Sequence, residues 1–113
     1  MLKALLWLGS SHNDVLHFPR KARQRAGYEL YLVQSGLQPT DWKSMPSIGV
    51  GVQEIRVHTE FEHRIFYVAK FEEAIYVVHA FEKKSRKTAS YDLDLAKSRL
   101  SELLQKRRRK REI

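Results

Sequence analysis

From Gln53 to His58 apolar and polar residues alternate, with Ile55 and Val57 on one side and Glu54, Arg56 and His58 on the other. A period of two belongs to a strand with one face on a core. His63 to Lys70 repeats the pattern, Ile65, Tyr67 and Ala69 alternating with Arg64, Phe66 and Val68. Ala74 to Phe81 is apolar at nearly every residue, as in a strand covered on both faces. The three segments predict an antiparallel meander. Directly opposed residues share a face, so pairing Ile55 with Tyr67 and Val57 with Ile65 keeps the apolar side whole. This register sets Arg56 opposite Phe66 and His58 opposite Arg64, and gathers Arg56, His58 and Arg64 on the other side. The third strand returns beside the start of the second, which brings Lys83 and Lys84 near Arg64.

The flanking segments supply the rest of a fold. Ala4 to Leu8 is a short apolar run that predicts a buried first strand, being shorter than a signal-peptide core and followed by no small-residue cleavage site. Ser10 or Ser11 can cap a short helix carrying Asp14 in its first turn. Pro19 ends that helix and can open a second, with Phe18 as an apolar contact before it. Ala22, Ala26, Leu30, Val33 and Leu37 form one stripe along the second helix, and Gly36 supplies its stop. Arg20, Lys21, Arg23 and Arg25 crowd its start, as a solvated face or as a secondary phosphate contact. Leu37 to Val52, with two prolines and two glycines, predicts a long loop pinned by Trp42, Met45 and Ile48, with Trp42 anchored in the core. Thr88 or Ser90 can cap a last helix with Asp92 and Asp94 in its first turn and Leu93, Ala96, Leu100, Leu103 and Leu104 as its stripe. Lys106 to Arg111 is six consecutive cations, where like charges at four-residue spacing predict fraying. The expectation is one α+β domain over residues 1–105 and a basic tail over 106–113.

Composition narrows the function classes. Hydrophobic residues at 42% exclude a disordered chain. The absence of cysteine removes disulfides, thiolate metal sites and a cysteine nucleophile, and favours a cytoplasmic setting. No apolar run approaches membrane-spanning length. Net charge is +8, of which residues 97–113 contribute +6. The remaining charges are segregated too: Glu60, Glu62, Glu72 and Glu73 fall at the two hairpin turns, whereas Lys83, Lys84, Arg86 and Lys87 share one loop. Such segregation points to a polyanionic partner.

The chemistry that suits these residues is phosphate chemistry. His58 and His63 flank a turn on opposite faces with no third ligand in view, so no metal and no cofactor are expected. No nucleophile elbow is present. RNA carries its own nucleophile, the 2′-hydroxyl, so its scission needs alignment, proton transfer and positive charge. Arg64 can hold a phosphate through its planar fork and stabilise the transition-state charge, with Arg56 assisting. Lys83 or Lys84, each among other cations, can serve as general base or acid, with His58 competing for that role. Arg86, Lys87, Arg107 and Arg108 are further candidates for RNA contact. The ordinary alternative for Arg64 is an ion pair with Glu62 or Glu54, and for the lysines a solvated loop.

The order of elements resembles the RelE superfamily of bacterial toxins. The run Trp42-Lys43-Ser44-Met45-Pro46, then Ile48-Gly49-Val50-Gly51-Val52 and Glu54-Ile55-Arg56, is similar to the phage-related HigB branch. So are Arg64-Ile65-Phe66-Tyr67-Val68-Ala69-Lys70 and His79-Ala80-Phe81-Glu82-Lys83-Lys84 with Lys87-Thr88-Ala89. The resemblance implies a compact RelE-like fold: an N-terminal strand, a two-helix hairpin, an antiparallel three-strand meander and a C-terminal helix. It also implies a toxin of a type II toxin–antitoxin pair, a metal-independent mRNA endonuclease acting in the ribosomal A site. Its partners would be mRNA, the ribosome and a helix-turn-helix, HigA-like antitoxin, with operator DNA met only through the antitoxin complex and no membrane. By position Arg64 matches the arginine opening the central strand of such toxins, and Lys84 the basic residue after the last strand. Ser90 or Tyr91 lies near the place of a tyrosine that some of these enzymes use, and Tyr91 can instead be a helix contact. Two other readings share the fold: a ParE-like inhibitor of DNA gyrase, and an inactive, antitoxin-binding corepressor.

Overall fold

The computed structural model describes residues 2–112, with side chains described for residues 2–110. The chain folds in the order β1 (Leu5–Trp7), α1 (Ser11–Leu16), α2 (Arg20–Gln34), β2 (Trp42–Ser44), β3 (Val52–His58), β4 (Glu62–Val68), β5 (Ile75–Lys83) and α3 (Ser90–Glu112). The five strands form one sheet in the order β1-β5-β4-β3-β2. β2 to β5 are antiparallel neighbours, and β1 runs parallel to β5 at the far edge. Among the described residues no helix is long and apolar enough to cross a membrane.

The sheet has a core on each face. Ile55, Val57, Ile65, Tyr67, Ile75 and Val77 pack on one side against Ala22, Ala26, Leu30 and Val33 of α2 and Val15 of α1. Val52, Phe66, Val68, Tyr76 and Val78 pack on the other side against Ala96, Leu100 and Leu103 of α3. The small residues Ala22 and Ala26, both fully buried, let α2 lie close on the strands. A stripe of apolar residues thus meets each apolar face, and burying it drives the arrangement.

Several local expectations are corrected. β3 and β4 pair with Ile55 opposite Ile65, Arg56 opposite Arg64 and His58 opposite Glu62, two residues from the predicted register. A two-residue slip leaves every side chain on its own face, so the alternation of apolar residues cannot detect it. The turn decides it: the Thr59 N–H donates to the Phe61 carbonyl at 3.1 Å, which closes the hairpin over residues 59–61. The loop from 37 to 52 contains β2, an edge strand paired with β3. Trp42, on that open edge, is 38% exposed and is not the core anchor; Ile48 and Met45 hold the loop instead. Glu29 holds it as well, as a buried carboxylate accepting from the Thr40 N–H at 2.5 Å and the Thr40 hydroxyl at 2.9 Å. β1 is an edge strand with Leu6 exposed rather than a buried one, and Leu37 lies outside the α2 stripe, exposed.

The last helix also departs from expectation. It does not fray at Lys106 but continues to Glu112. Arg107 explains part of this: its guanidinium lies 3.7 Å from the centroid of the Phe71 ring and pairs with Glu73. Cation–π stacking and the ion pair offset some of the repulsion within the run. Cations at a helix C-terminus also complement the helix dipole.

Candidate anion-binding site

Toward the β3–β4 turn, the sheet face that carries α3 is built from three rows of side chains. The strand register sets Lys43, Glu54, Phe66 and His79 across the first row, Arg56, Arg64 and Phe81 across the second, and His58, Glu62 and Lys83 across the third. α3 ends its cover at the first row, where His79 Nε2 donates to Asp92 at 2.7 Å and Arg99 donates to His79 Nδ1 at 3.3 Å. These two bonds tie the helix to β5 and fix which His79 nitrogen carries the proton.

The middle row places two arginines directly opposite each other, an arrangement that like-charge repulsion disfavours. Two carboxylates compensate. Glu54, 3% exposed, lies 3.1 Å from Arg56 Nε and 3.9 Å from Arg64 Nε. Glu62 accepts from the terminal amino group of Arg64 at 2.9 Å, and the same amino group donates to the His63 carbonyl at 3.0 Å. The Arg64 Nε is buried with no hydrogen-bond partner among the described residues, and a buried unpaired donor on a charged group costs free energy that a closer oxyanion would recover. The Arg64 ion pair raised as an alternative in the sequence is therefore present, within a cluster of arginines and carboxylates.

His58 closes the third row. Its Nε2 lies 2.6 Å from Asp41 and its Nδ1 2.7 Å from Glu62. Both nitrogens can donate only in the imidazolium, and the hydrogen bonds that His58 donates, first to Asp41 and then to Glu62, raise its pKa above the ordinary 6.5. The His58 contact, followed by that of Arg64, holds the Glu62 carboxyl below its ordinary range. One Glu62 oxygen thus bridges an imidazolium and an arginine.

The other predicted residues fall in three places. Lys83 is half-buried at the end of β5, on the face of Glu62 and one row from Arg64. Lys84, Arg86 and Lys87 are exposed in the following loop, where the Ser85 hydroxyl donates to the Lys87 carbonyl at 2.8 Å. Arg107 and Arg108 are not part of this cluster. They lie toward the far end of α3, where Arg107 meets Phe71 and Glu73 ahead of β5, about 25 Å of strand away from Lys83. Arg20, Lys21 and Arg23 are exposed on α2, and Arg25 is spent on Glu29, 3.2 Å away. Tyr91 makes no core contact, being 71% exposed. His63 points away from the cluster, its ring tilted 45° against Phe18 at 4.3 Å between centroids, and burial pushes its pKa down.

Sequence reasoning missed Asp41 and Lys43, which join the site only through β2, a strand of three residues that is too short to show a period. Glu54 was legible, since it alternates in phase with Arg56. Its role as a buried counter-charge depends on the true register.

Residues 13–101 match the family described as Phage derived protein Gp49-like (DUF891). No curated protein matches the chain. With the match spanning most of the sequence, the chain belongs to the Gp49-like family of phage-derived, RelE/HigB-like toxins.

Proposed function

We propose that this protein is the toxin of a type II toxin–antitoxin pair and an mRNA endonuclease that works on the ribosome without a metal. The observation that carries this reading is the Glu62 oxygen held jointly by His58 at 2.7 Å and Arg64 at 2.9 Å. A phosphate oxygen in its place would meet a proton donor and a guanidinium together. Glu62 is 41% exposed and can leave, whereas the buried Glu54 stays and keeps Arg56 and Arg64 in position.

In this mechanism the 2′-hydroxyl attacks the adjacent phosphorus, Arg64 and Arg56 stabilise the additional negative charge, and the 5′-oxygen leaves with a proton. The His58 imidazolium supplies that proton. Lys83 or Lys84, in its neutral form, takes the proton of the 2′-hydroxyl. Arg86 and Lys87 extend the phosphate contact along the strand. RNA alone presents this geometry poorly, so the ribosome would bend the message into line for attack. A helix-turn-helix antitoxin would neutralise the toxin and carry the complex to operator DNA.

The test is cleavage of a defined mRNA on programmed ribosomes with EDTA present, mapped by primer extension, for the wild type and for Arg64→Ala and Lys84→Ala. Cuts within the A-site codon that both substitutions suppress are expected. Intact message with folded wild-type protein would overturn the assignment, and inhibition of gyrase supercoiling by that protein would replace it with the ParE-like reading.

A further inference from the structure

The described part of α3 ends in a second cationic surface that the candidate site does not use. Lys106, Arg107, Arg108, Arg109 and Lys110 are consecutive on one helix. At 100° per residue, five consecutive positions cover the whole circumference. All but Arg107 are exposed. Arg107 is turned inward onto Phe71 and Glu73, which fixes this end of the helix against the β4–β5 turn. A groove of about 670 Å³ runs between them, floored by Tyr76 and Leu103 and rimmed by Lys106, Arg109 and Lys110.

Three features decide what such a surface fits. The helix dipole accounts for a cation or two in the last turn, since its effect fades within that turn. The run here begins earlier and places Lys106 and Lys110 at mutually repulsive four-residue spacing. Next, the exposed sides of this helix end carry Lys106, Arg108, Arg109 and Lys110, with no apolar face between them to enter a lipid surface. Finally, with Arg107 turned inward, Lys106, Arg108, Arg109 and Lys110 present cations on several exposed sides of the helix, which negative charge on more than one side matches, as between the two phosphate backbones of a nucleic-acid duplex. Arginines dominate the run, and their forks suit phosphate oxygens.

We infer that the basic end of α3 docks on the phosphate backbones of duplex RNA, as a holding surface separate from the cluster around Arg64. The choice of RNA over DNA rests on the RNA-cleaving function proposed above; the duplex geometry does not. The two surfaces lie at opposite ends of β5, so structured RNA can be gripped at one while a single strand enters the other. Gripping at one raises the effective concentration of the strand at the other.

The experiment measures binding of a fluorescent 16-base-pair RNA duplex by full-length protein across a salt series. It compares the wild type with the triple variant Arg108→Gln, Arg109→Gln, Lys110→Gln, leaving Arg107 on Phe71. The triple variant is expected to bind at least tenfold more weakly near 0.1 M salt, with a salt slope smaller by about 2 to 3. Lys97→Gln, at an exposed cation earlier on the same helix, should shift duplex affinity less than threefold. In a second measurement on the wild type, amide exchange across residues 102–110 should slow when duplex is added. Unchanged affinity in the triple variant, or duplex binding without protection of that segment, would overturn the inference. Equal affinity for a DNA duplex of the same sequence would overturn the commitment to RNA, and equal affinity for a glutamate-rich peptide would overturn the nucleic-acid reading. These readouts are independent of message cleavage, so either proposal can fail alone.

Discussion

Arg56 and Arg64 stand directly opposite each other across β3 and β4, and the buried carboxylate of Glu54 holds the pair together. Removing that carboxylate leaves two guanidiniums facing each other with Glu62 as the remaining partner of Arg64. Breaking a buried pair from one side typically costs 3–5 kcal/mol; Arg56 is 32% exposed and water offsets part of this, so Glu54→Gln should destabilise by about 2–3 kcal/mol. Arg64→Met added to Glu54→Gln should cost clearly less than the sum of the two single changes. Urea unfolding of the four proteins in the cycle measures this, and strict additivity would show that Glu54 does not hold the pair.

The His58 clamp has a pH signature of definite sign. A histidine whose folded pKa exceeds its unfolded value contributes stability that is complete below the unfolded value and lost as pH rises through the folded one. Glu62, with its pKa lowered, contributes stability that is present above its unfolded value and lost as pH falls through the folded one. The clamp therefore holds from mild acid up to the raised His58 pKa. Titration of the His58 ring by NMR should give a midpoint above 6.5, and Asp41→Asn should bring it down. If His58 donates the proton in cleavage, the alkaline limb of the pH–rate profile should move to lower pH in the same variant. An unmoved limb would remove His58 from that role.

Glu29 is the fastening between α2 and the segment leading to β2. Its carboxylate serves the backbone and hydroxyl of Thr40 and the guanidinium of Arg25. Glu29→Ala leaves the Thr40 N–H without its partner and should cost about 2 kcal/mol. Amide exchange at Lys43 and Ser44 should accelerate with it. Exchange unchanged in the variant would mean that the pairing of β2 with β3 suffices to hold the segment.

Gly27 lies in α2 on the exposed side, and a Cβ built there meets nothing within 4 Å. Gly27→Ala should stabilise the protein by about 1 kcal/mol through helix propensity alone. The thermal midpoint should rise by roughly 4 °C. A lower midpoint would mean that the glycine serves a bend or a contact that the open space does not reveal.

The sequence alone determined what short-range periodicity can carry. Alternation placed Arg56, His58 and Arg64 on one face and Ile55, Val57 and Ile65 on the other. The stripe Ala22, Ala26, Leu30 and Val33 marked the helix that covers the apolar face, and Ala96, Leu100 and Leu103 the helix that covers part of the other. Tertiary structure decided which residues actually meet. A slip of two residues is invisible to alternation, so only the closed turn at 59–61 set Arg56 against Arg64 and His58 against Glu62. β2 was too short to read, and only its pairing with β3 set Lys43 opposite Glu54, while Asp41 just before it reached His58. The persistence of α3 through its cations likewise depended on Phe71 and Glu73, far away in sequence and supplied only by folding.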